Sequence, residues 1–305
     1  MEAKLKIAKS EVLHKDRVWS VSWGHKDGII ASTSGDCSLK LWDKSLSPLD
    51  SFVHDRTVRR VKFAPDGKQL AICSFNGKVL IYKLENGVFE EYAELEGHES
   101  EVKSISWSAD SSLLATCGRD KSVWVWECWE DGDYECAGVI TSHSADVKDI
   151  CFHPYDCILV SVSYDMTVKL FKEFDGEWDC IQTLTGHTDT VWCASWRPDG
   201  AKLATAGSDL CVRVLAFTNG KLELEANIQG IHDRTIYSVD WGEKGIVTGC
   251  ADNKIRLLQE SEGAWICVDS IAVMSDVNSV AWSKSGQQIA AGTDDGDLVL
   301  VDLVE

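Results

Sequence analysis

Histidine, hydroxyl and carboxylate side chains recur together along this chain in one order: His14/Ser32/Asp36, His98/Thr116/Asp120, His143/Ser161/Asp165, His187/Thr205/Asp209 and His232/Thr248/Asp252. One such trio in a cleft is the machinery of nucleophilic catalysis, in which the imidazole takes the hydroxyl proton and the carboxylate holds the ring. An enzyme needs one trio, and this chain carries five in matching register. A hydrolase reading rests on that repetition alone, so the chain is expected to be no enzyme.

The elements that must position these residues repeat with them. His14, His54, His98, His143, His187 and His232 fall 40 to 45 residues apart, and a β-branched residue follows each by four positions (Val18, Val58, Val102, Val147, Val191, Ile236). A seventh copy lacks the histidine and continues with Val277, Val280 and Trp282. A turn residue recurs as Asp36, Asn76, Asp120, Asp165, Asp209, Asp252 and Asp295, with Trp42, Tyr82, Trp126, Phe171, Leu215, Leu258 and Val301 six positions on. Residues 113–127 show the grammar in full: two alternating strands, the second with Val123 and Val125 between Trp124 and Trp126, joined by a turn at Gly118-Arg119-Asp120. A four-stranded repeat of about 40 to 45 residues with Gly-His and Trp-Asp signals is the signature of a β-propeller.

Over essentially its whole length the chain resembles the WD-repeat family. The expected fold is an all-β, seven-bladed WD40 β-propeller, with residues 1–305 as a single domain, because each blade buries its faces only against its neighbours. The alternating run at 4–12 precedes the first histidine, and the seventh repeat stops after its third strand, Leu298 to Val304. The N-terminal strand is therefore expected to complete the last blade and close the ring. The resemblance also gives the trios a structural meaning: histidine bonds to the turn Asp, the hydroxyl bridges, and Trp42 or Trp126 caps the set in the two blades that keep the aromatic donor. A buried Asp is tolerable only with such partners.

The formal net charge of −19 argues against nucleic acid, whose binding is driven by Lys and Arg displacing counterions. No apolar run approaches the roughly 18 residues that cross a bilayer, and the N-terminus has no signal-peptide core. The expected compartment is the cytoplasm, with possible access to the nucleus. Twelve cysteines include no Cys-x-x-Cys pair, so they are read as reduced, mostly packed thiols, with no metal site and no cofactor. Cys136, Cys180 and Cys267 each stand two residues after an aromatic, an equivalent place on three outer strands.

In WD-repeat propellers the residues three and five after each histidine, and the one before each turn Asp, face the rim of the central channel. Transferred here, that placement puts Arg17, Trp19, Arg59, Lys103, Lys148, Trp192 and Tyr237 on one face, with Arg119 and Tyr164 from the third set and Asp276, Asn278 and Asp294 from the seventh blade. Arg59, Lys103, Arg119 and Lys148 come from adjacent blades, forming a basic sector with aromatic neighbours on an acidic protein. Such a sector suits an anionic, partly aromatic ligand, for example an acidic peptide segment or a terminal carboxylate.

The segments Gly97-His98-Glu99-Ser100-Glu101-Val102-Lys103-Ser104, Arg119-Asp120-Lys121-Ser122-Val123-Trp124-Val125-Trp126-Glu127 and Ser163-Tyr164-Asp165-Met166-Thr167-Val168-Lys169-Leu170 carry a narrower resemblance. Together with Tyr134-Glu135-Cys136, Asp146-Val147-Lys148, the run from His232 to Tyr237, and Asp276 with Asn278, they resemble the WD-repeat subunit of the cytosolic iron-sulfur protein assembly targeting complex. The resemblance implies a scaffold that helps transfer [4Fe-4S] clusters to cytosolic and nuclear apoproteins. The partners it implies are a small assembly-factor subunit, a HEAT-repeat adaptor, an iron-only-hydrogenase-like cluster carrier and client apoproteins, with a monomer outside the complex. Arg119 matches an arginine that matters functionally in that family. The competing role, substrate receptor of a cullin-type ubiquitin ligase, commonly brings Trp-Asp-x-Arg after a blade. The corresponding sequences here, Trp42-Asp43-Lys44-Ser45 and Trp126-Glu127-Cys128-Trp129, lack that arginine.

Overall fold

The computed structural model describes residues 3–24, 28–129 and 132–304. Part of the acidic turn read from the sequence in the third repeat, Glu130 and Asp131, lies outside the described residues. Among the described residues every regular element is a strand, and the strands form seven four-stranded antiparallel sheets. Each sheet is one blade, and the inner strands of successive blades touch around the ring until Val277–Trp282 meets Val18–Trp23. The architecture is a seven-bladed β-propeller.

Alternation builds the blades. In Val102–Trp107, Leu113–Gly118 and Val123–Cys128 the apolar side chains turn toward the neighbouring sheets, and the first of these strands buries Val102, Ile105 and Trp107. The core is consequently a set of layers between blades, such as the one joining Ala115, Cys117 and Val125 of blade 3 to Val147, Ile150 and Phe171 of blade 4. Each fully buried side chain of this size contributes about 1.5–3 kcal/mol, so no blade is stable without its neighbours.

Closure follows the expected route. Lys4–Val12 pairs antiparallel with Asp297–Val304, from Lys4 opposite Val304 to Val12 opposite Asp297. Leu5 is buried in the layer between blades 6 and 7, and its N–H donates to Asp269 Oδ2 at 2.7 Å. Cys136, Cys180 and Cys267 do occupy one register, opposite Trp126, Phe171 and Leu258. Cys136 and Cys180 are exposed, whereas Cys73, Cys117, Cys193, Cys211 and Cys250 are buried; burial pushes the Cys73 thiol up to about 12.

Candidate functional site

One irregularity recurs in every blade and aims the site. Each inner strand slips register after its first residue, between Val18 and Ser20, Val58 and Arg60, Val102 and Ser104, Val147 and Asp149, Val191 and Cys193, Ile236 and Ser238, and Val277 and Ser279. A bulge of this kind leaves its extra residue unpaired and redirects the side chain. The seven extra residues are Trp19, Arg59, Lys103, Lys148, Trp192, Tyr237 and Asn278, and all seven line one cavity at the channel mouth. Arg17, Phe75, Asp276 and Asp294 complete its wall, around a volume of about 200 Å³.

Cations and rings interleave there. The guanidinium carbons of Arg59 and Arg17 lie 4.7 and 5.1 Å from the Trp19 ring. Lys103 Nζ stands 4.3 Å from Phe75, and Lys148 Nζ 5.0 Å from Trp192. Lys148 Nζ is also paired with Asp146 Oδ2 at 3.2 Å; the ring contacts hold the other cations in place without neutralising them. Burial, aided by Arg60, brings the Arg59 pKa down to about 10, and burial likewise lowers that of Lys103, with Arg59 and Lys148 adding to the effect. An arriving anion relieves this crowding of positive charge.

Two residues expected at the mouth stand outside it. Arg119 is on the shoulder, 60% exposed, and its Nη1 donates to Glu101 Oε1 at 3.0 Å. Its backbone N–H donates to Glu101 O, the bond that Phe75 and Asp294 make at the same place in their blades while lining the cavity, so the side-chain pair with Glu101 is what sets Arg119 apart. Tyr164 is also exposed on the shoulder, 5.3 Å from Lys148 Nζ. The basic sector of four thus divides into three cations in the cavity and one beside it.

The trios are hydrogen-bond networks in four blades. In blade 3 Trp126 Nε1–H donates to Thr116 Oγ1 (3.1 Å), which reaches His98 Nε2 (2.8 Å), while His98 Nδ1 reaches Asp120 Oδ2 (2.7 Å). The carboxylate only accepts, so Nδ1 carries the ring proton and Nε2 accepts the threonine O–H, whose oxygen in turn accepts the indole N–H. Blade 1 repeats this with Trp42, Ser32, His14 and Asp36, and blades 4 and 5 keep the inner part. Burial lowers the His14 pKa to about 4 against the pull of Asp36.

Blade 6 departs from the expected pattern. His232 Nε2 meets Thr248 Oγ1 at 2.8 Å, but its Nδ1 is buried without a partner. Asp252 is taken by Arg256, whose Nη1 and Nη2 donate to Oδ1 and Oδ2 at 3.0 and 2.5 Å. The expected His232–Asp252 bond is absent because the bidentate guanidinium wins the carboxylate.

Asp149, which the sequence reading passes over, joins four blades inside the channel. It accepts from Arg60 Nη2 of blade 2 (3.0 Å), Ser104 Oγ of blade 3 (2.6 Å) and the Ala194 N–H of blade 5 (3.1 Å). Ser20, Ser238 and Ser279 hold the corresponding place in their blades and accept the N–H of Val61, Val280 and Val21 from the next blade. A charged residue where other blades carry serine was the available signal.

With this geometry in view, the chain was compared with known proteins. The WD domain, G-beta repeat model matches residues 9–43, 46–83, 89–127, 134–172, 178–214 and 267–302. A probable cytosolic iron-sulfur protein assembly protein 1 from Kluyveromyces lactis is 38% identical over 96% of each chain, and one from Vanderwaltozyma polyspora is 33% identical over 96% of this chain and 97% of its own. The chain belongs to this family of WD40-repeat proteins. A Caenorhabditis elegans relative, described as a probable cytosolic iron-sulfur protein assembly protein CIAO1 homolog, is 43% identical over 36% of each chain. The repeat model leaves out residues 215–266, which hold most of blade 6 with its diverted aspartate; that blade nevertheless is a complete four-stranded sheet, ending in the strand Ala264–Ala272. Among the described residues of this family member no group of three or more His, Cys, Asp or Glu is arranged to hold a metal ion.

Proposed function

We propose that the chain is a non-enzymatic docking platform of cytosolic iron-sulfur protein assembly, acting in the cytosol and reaching the nucleus. In this reading it gathers a small assembly-factor subunit, a HEAT-repeat adaptor and an iron-only-hydrogenase-like carrier, and helps pass [4Fe-4S] clusters to client apoproteins. The names of its relatives support the pathway. The docking role is carried by one observation, the ring of seven bulge residues that directs Arg59, Lys103 and Lys148 into a single aromatic-walled cavity.

Charge-assisted hydrogen bonds from these cations, with Arg119 on the shoulder, would grip acidic or carboxylate-bearing segments of partners. Trp19, Trp192 and Tyr237 supply rings for stacking, and Arg17 and Tyr164 extend the face. The cluster is cargo held by other proteins.

Affinity purification with mass spectrometry tests the reading, comparing the native chain with Arg119→Glu and Lys103→Glu. The native chain is expected to bring down the assembly factor, adaptor and clients, and the variants to lose clients while melting as the native chain does. Undiminished client capture by both variants removes this face from the mechanism. Iron and acid-labile sulfide on the purified chain would end the platform reading.

A further inference from the structure

The channel holds a second cavity beyond the mouth. Lys62 follows Arg59 by three residues on the strand Val58–Phe63, which places it roughly 10 Å deeper at the rise of a β-strand. With Arg60 it lines a space of about 230 Å³ that shares no wall residue with the cavity at the mouth. The wall is rich in donors that lack acceptors. Among the described residues the half-buried Lys62 Nζ has no hydrogen-bond or ion-pair partner. Arg60 gives Nη2 to Asp149, and its buried Nε–H has no partner. Ser106, Ser238 and Ser279 accept the N–H of Phe152, Val280 and Val21, and among the described residues no acceptor meets their own O–H.

The carboxylates in electrostatic reach of Lys62 are already engaged through both oxygens. Asp149 accepts from Arg60, Ser104 and the Ala194 N–H, and Asp240 accepts from Ser195 Oγ at 3.2 Å and from the Trp282 N–H at 2.7 Å. Arg197, the third cation of the wall, is held by Asp199 at 2.6 Å. Burial and the Arg60 charge lower the Lys62 pKa, with Lys284 adding to the effect, although Asp240 and Asp149 pull the other way. An anion beside the ammonium removes that cost. Water in the cavity brings two O–H donors with its oxygen, and the wall has no free acceptors to match them; an anion only accepts. A tetrahedral oxyanion presents acceptor oxygens in four directions, which suits donors converging from several blades.

We propose that this inner cavity binds a free tetrahedral oxyanion, inorganic phosphate or sulfate, seated against Lys62 and Arg60 in the space that the hydroxyls of Ser106, Ser238 and Ser279 also line. Lys62 and Arg60 belong to blade 2, and Ser238 and Ser279 to blades 6 and 7, so the ion lies among blades on both sides of blade 1, where the ring closes. The unfolded chain has no such cavity, and the bound ion therefore stabilises the folded ring in proportion to its occupancy. This site is separate from the docking face and does not depend on it.

Titration of the full chain with inorganic phosphate, followed by phosphorus NMR at constant ionic strength, tests it. Phosphate is expected to bind, sulfate to displace it, and chloride at the same ionic strength to leave it in place. Lys62→Gln should weaken phosphate at least tenfold, Lys62→Arg should stay within threefold of the native chain, and Lys103→Gln, which alters only the cavity at the mouth, should bind as the native chain does. Melting curves without phosphate show that each variant is folded; added phosphate should raise the melting temperature of the native chain and of Lys62→Arg, and not that of Lys62→Gln. Absence of phosphate binding to the native chain overturns the proposal. So does binding lost in Lys103→Gln and kept in Lys62→Gln, which places the ion at the mouth. Displacement by chloride as effective as by sulfate also overturns it, because a diffuse positive field and not a tetrahedral site is then at work. Each of these results leaves the docking reading standing.

Discussion

Arg256 holds Asp252 through both guanidinium nitrogens, at 3.0 and 2.5 Å, and both side chains are nearly inaccessible. Removing the carboxylate would leave a buried guanidinium alone. Asp252→Ala is accordingly expected to cost about 3–5 kcal/mol, the scale for breaking a buried ion pair. Asp120→Ala, which orphans only the hydrogen bonds of His98 and its neighbours, should cost about 1–3 kcal/mol. Urea unfolding of the two variants checks the ranking, and an equal or reversed order refutes this account of blade 6.

Acid should destabilise the ring in two steps. His14 and His232 are lowered by burial from 6.5 to about 4. Asp36, Asp120 and Asp165 are held at about 2, below 3.8, by hydrogen bonds that outweigh their burial, and Asp252 similarly by Arg256. In both classes the unfolded chain binds more protons than the folded one between the two pKa values, so stability rises with pH. It is complete above 6.5, declines as pH falls toward 4 while the histidines of the unfolded chain charge, and declines again from 3.8 toward 2. Thermal melting across this range reads both steps. His232→Gln should shrink the first, and a melting temperature constant from 6.5 to 4 would contradict the assignment.

The N-terminal strand should act on the whole fold. Deleting residues 1–12 removes every pairing partner of Asp297–Val304 on that edge and opens the layer that Leu5 fills. A large drop in melting temperature is expected, and Leu5→Ala alone should cost about 2–5 kcal/mol. Unchanged melting of the deletion would show that closure contributes nothing.

Asp149 should matter for stability more than its channel position suggests. Its loss strands the Arg60 guanidinium and frees the Ala194 N–H, joining points from four blades. Asp149→Ala is expected to cost about 3–5 kcal/mol, and Asp149→Asn less, because an amide oxygen at the Oδ1 position still accepts from Ser104 and Arg60 while only the Ala194 N–H loses its acceptor. A double-mutant cycle with Arg60→Met measures the coupling, and its absence would mean that the pair is incidental.

Blade number, ring closure and four of the five networks were legible because each depends on spacing along the strand, and a β-strand converts spacing into direction. The channel-facing set came from the resemblance to WD-repeat propellers, and the bulge at one place in every repeat is what the structure adds to it. Arg119 was grouped with the cavity because it precedes its turn Asp, a place that faces the rim in WD-repeat propellers, but its side chain pairs with Glu101 on the shoulder. Asp276 and Asp294 were given no role because they are distant in sequence from the cations with which they share the cavity wall.

Arg213 and Arg256 stand four residues after their turn aspartates and read alike in the sequence, yet they do opposite things. Arg213 donates outward to the Gly186 carbonyl and leaves Asp209 to His187, whereas Arg256 turns inward and takes Asp252 from His232. At Gly186 there is no Cβ where Arg213 passes; in blade 6 that place before the histidine belongs to Ile231. The sequence by itself determined seven blades and their closure, because these follow from the spacing of the repeat and from alternation along each strand. Only the tertiary structure decided which carboxylate each cation meets, because those partners are chosen by steric clearance and by the meeting of blades far apart in the chain.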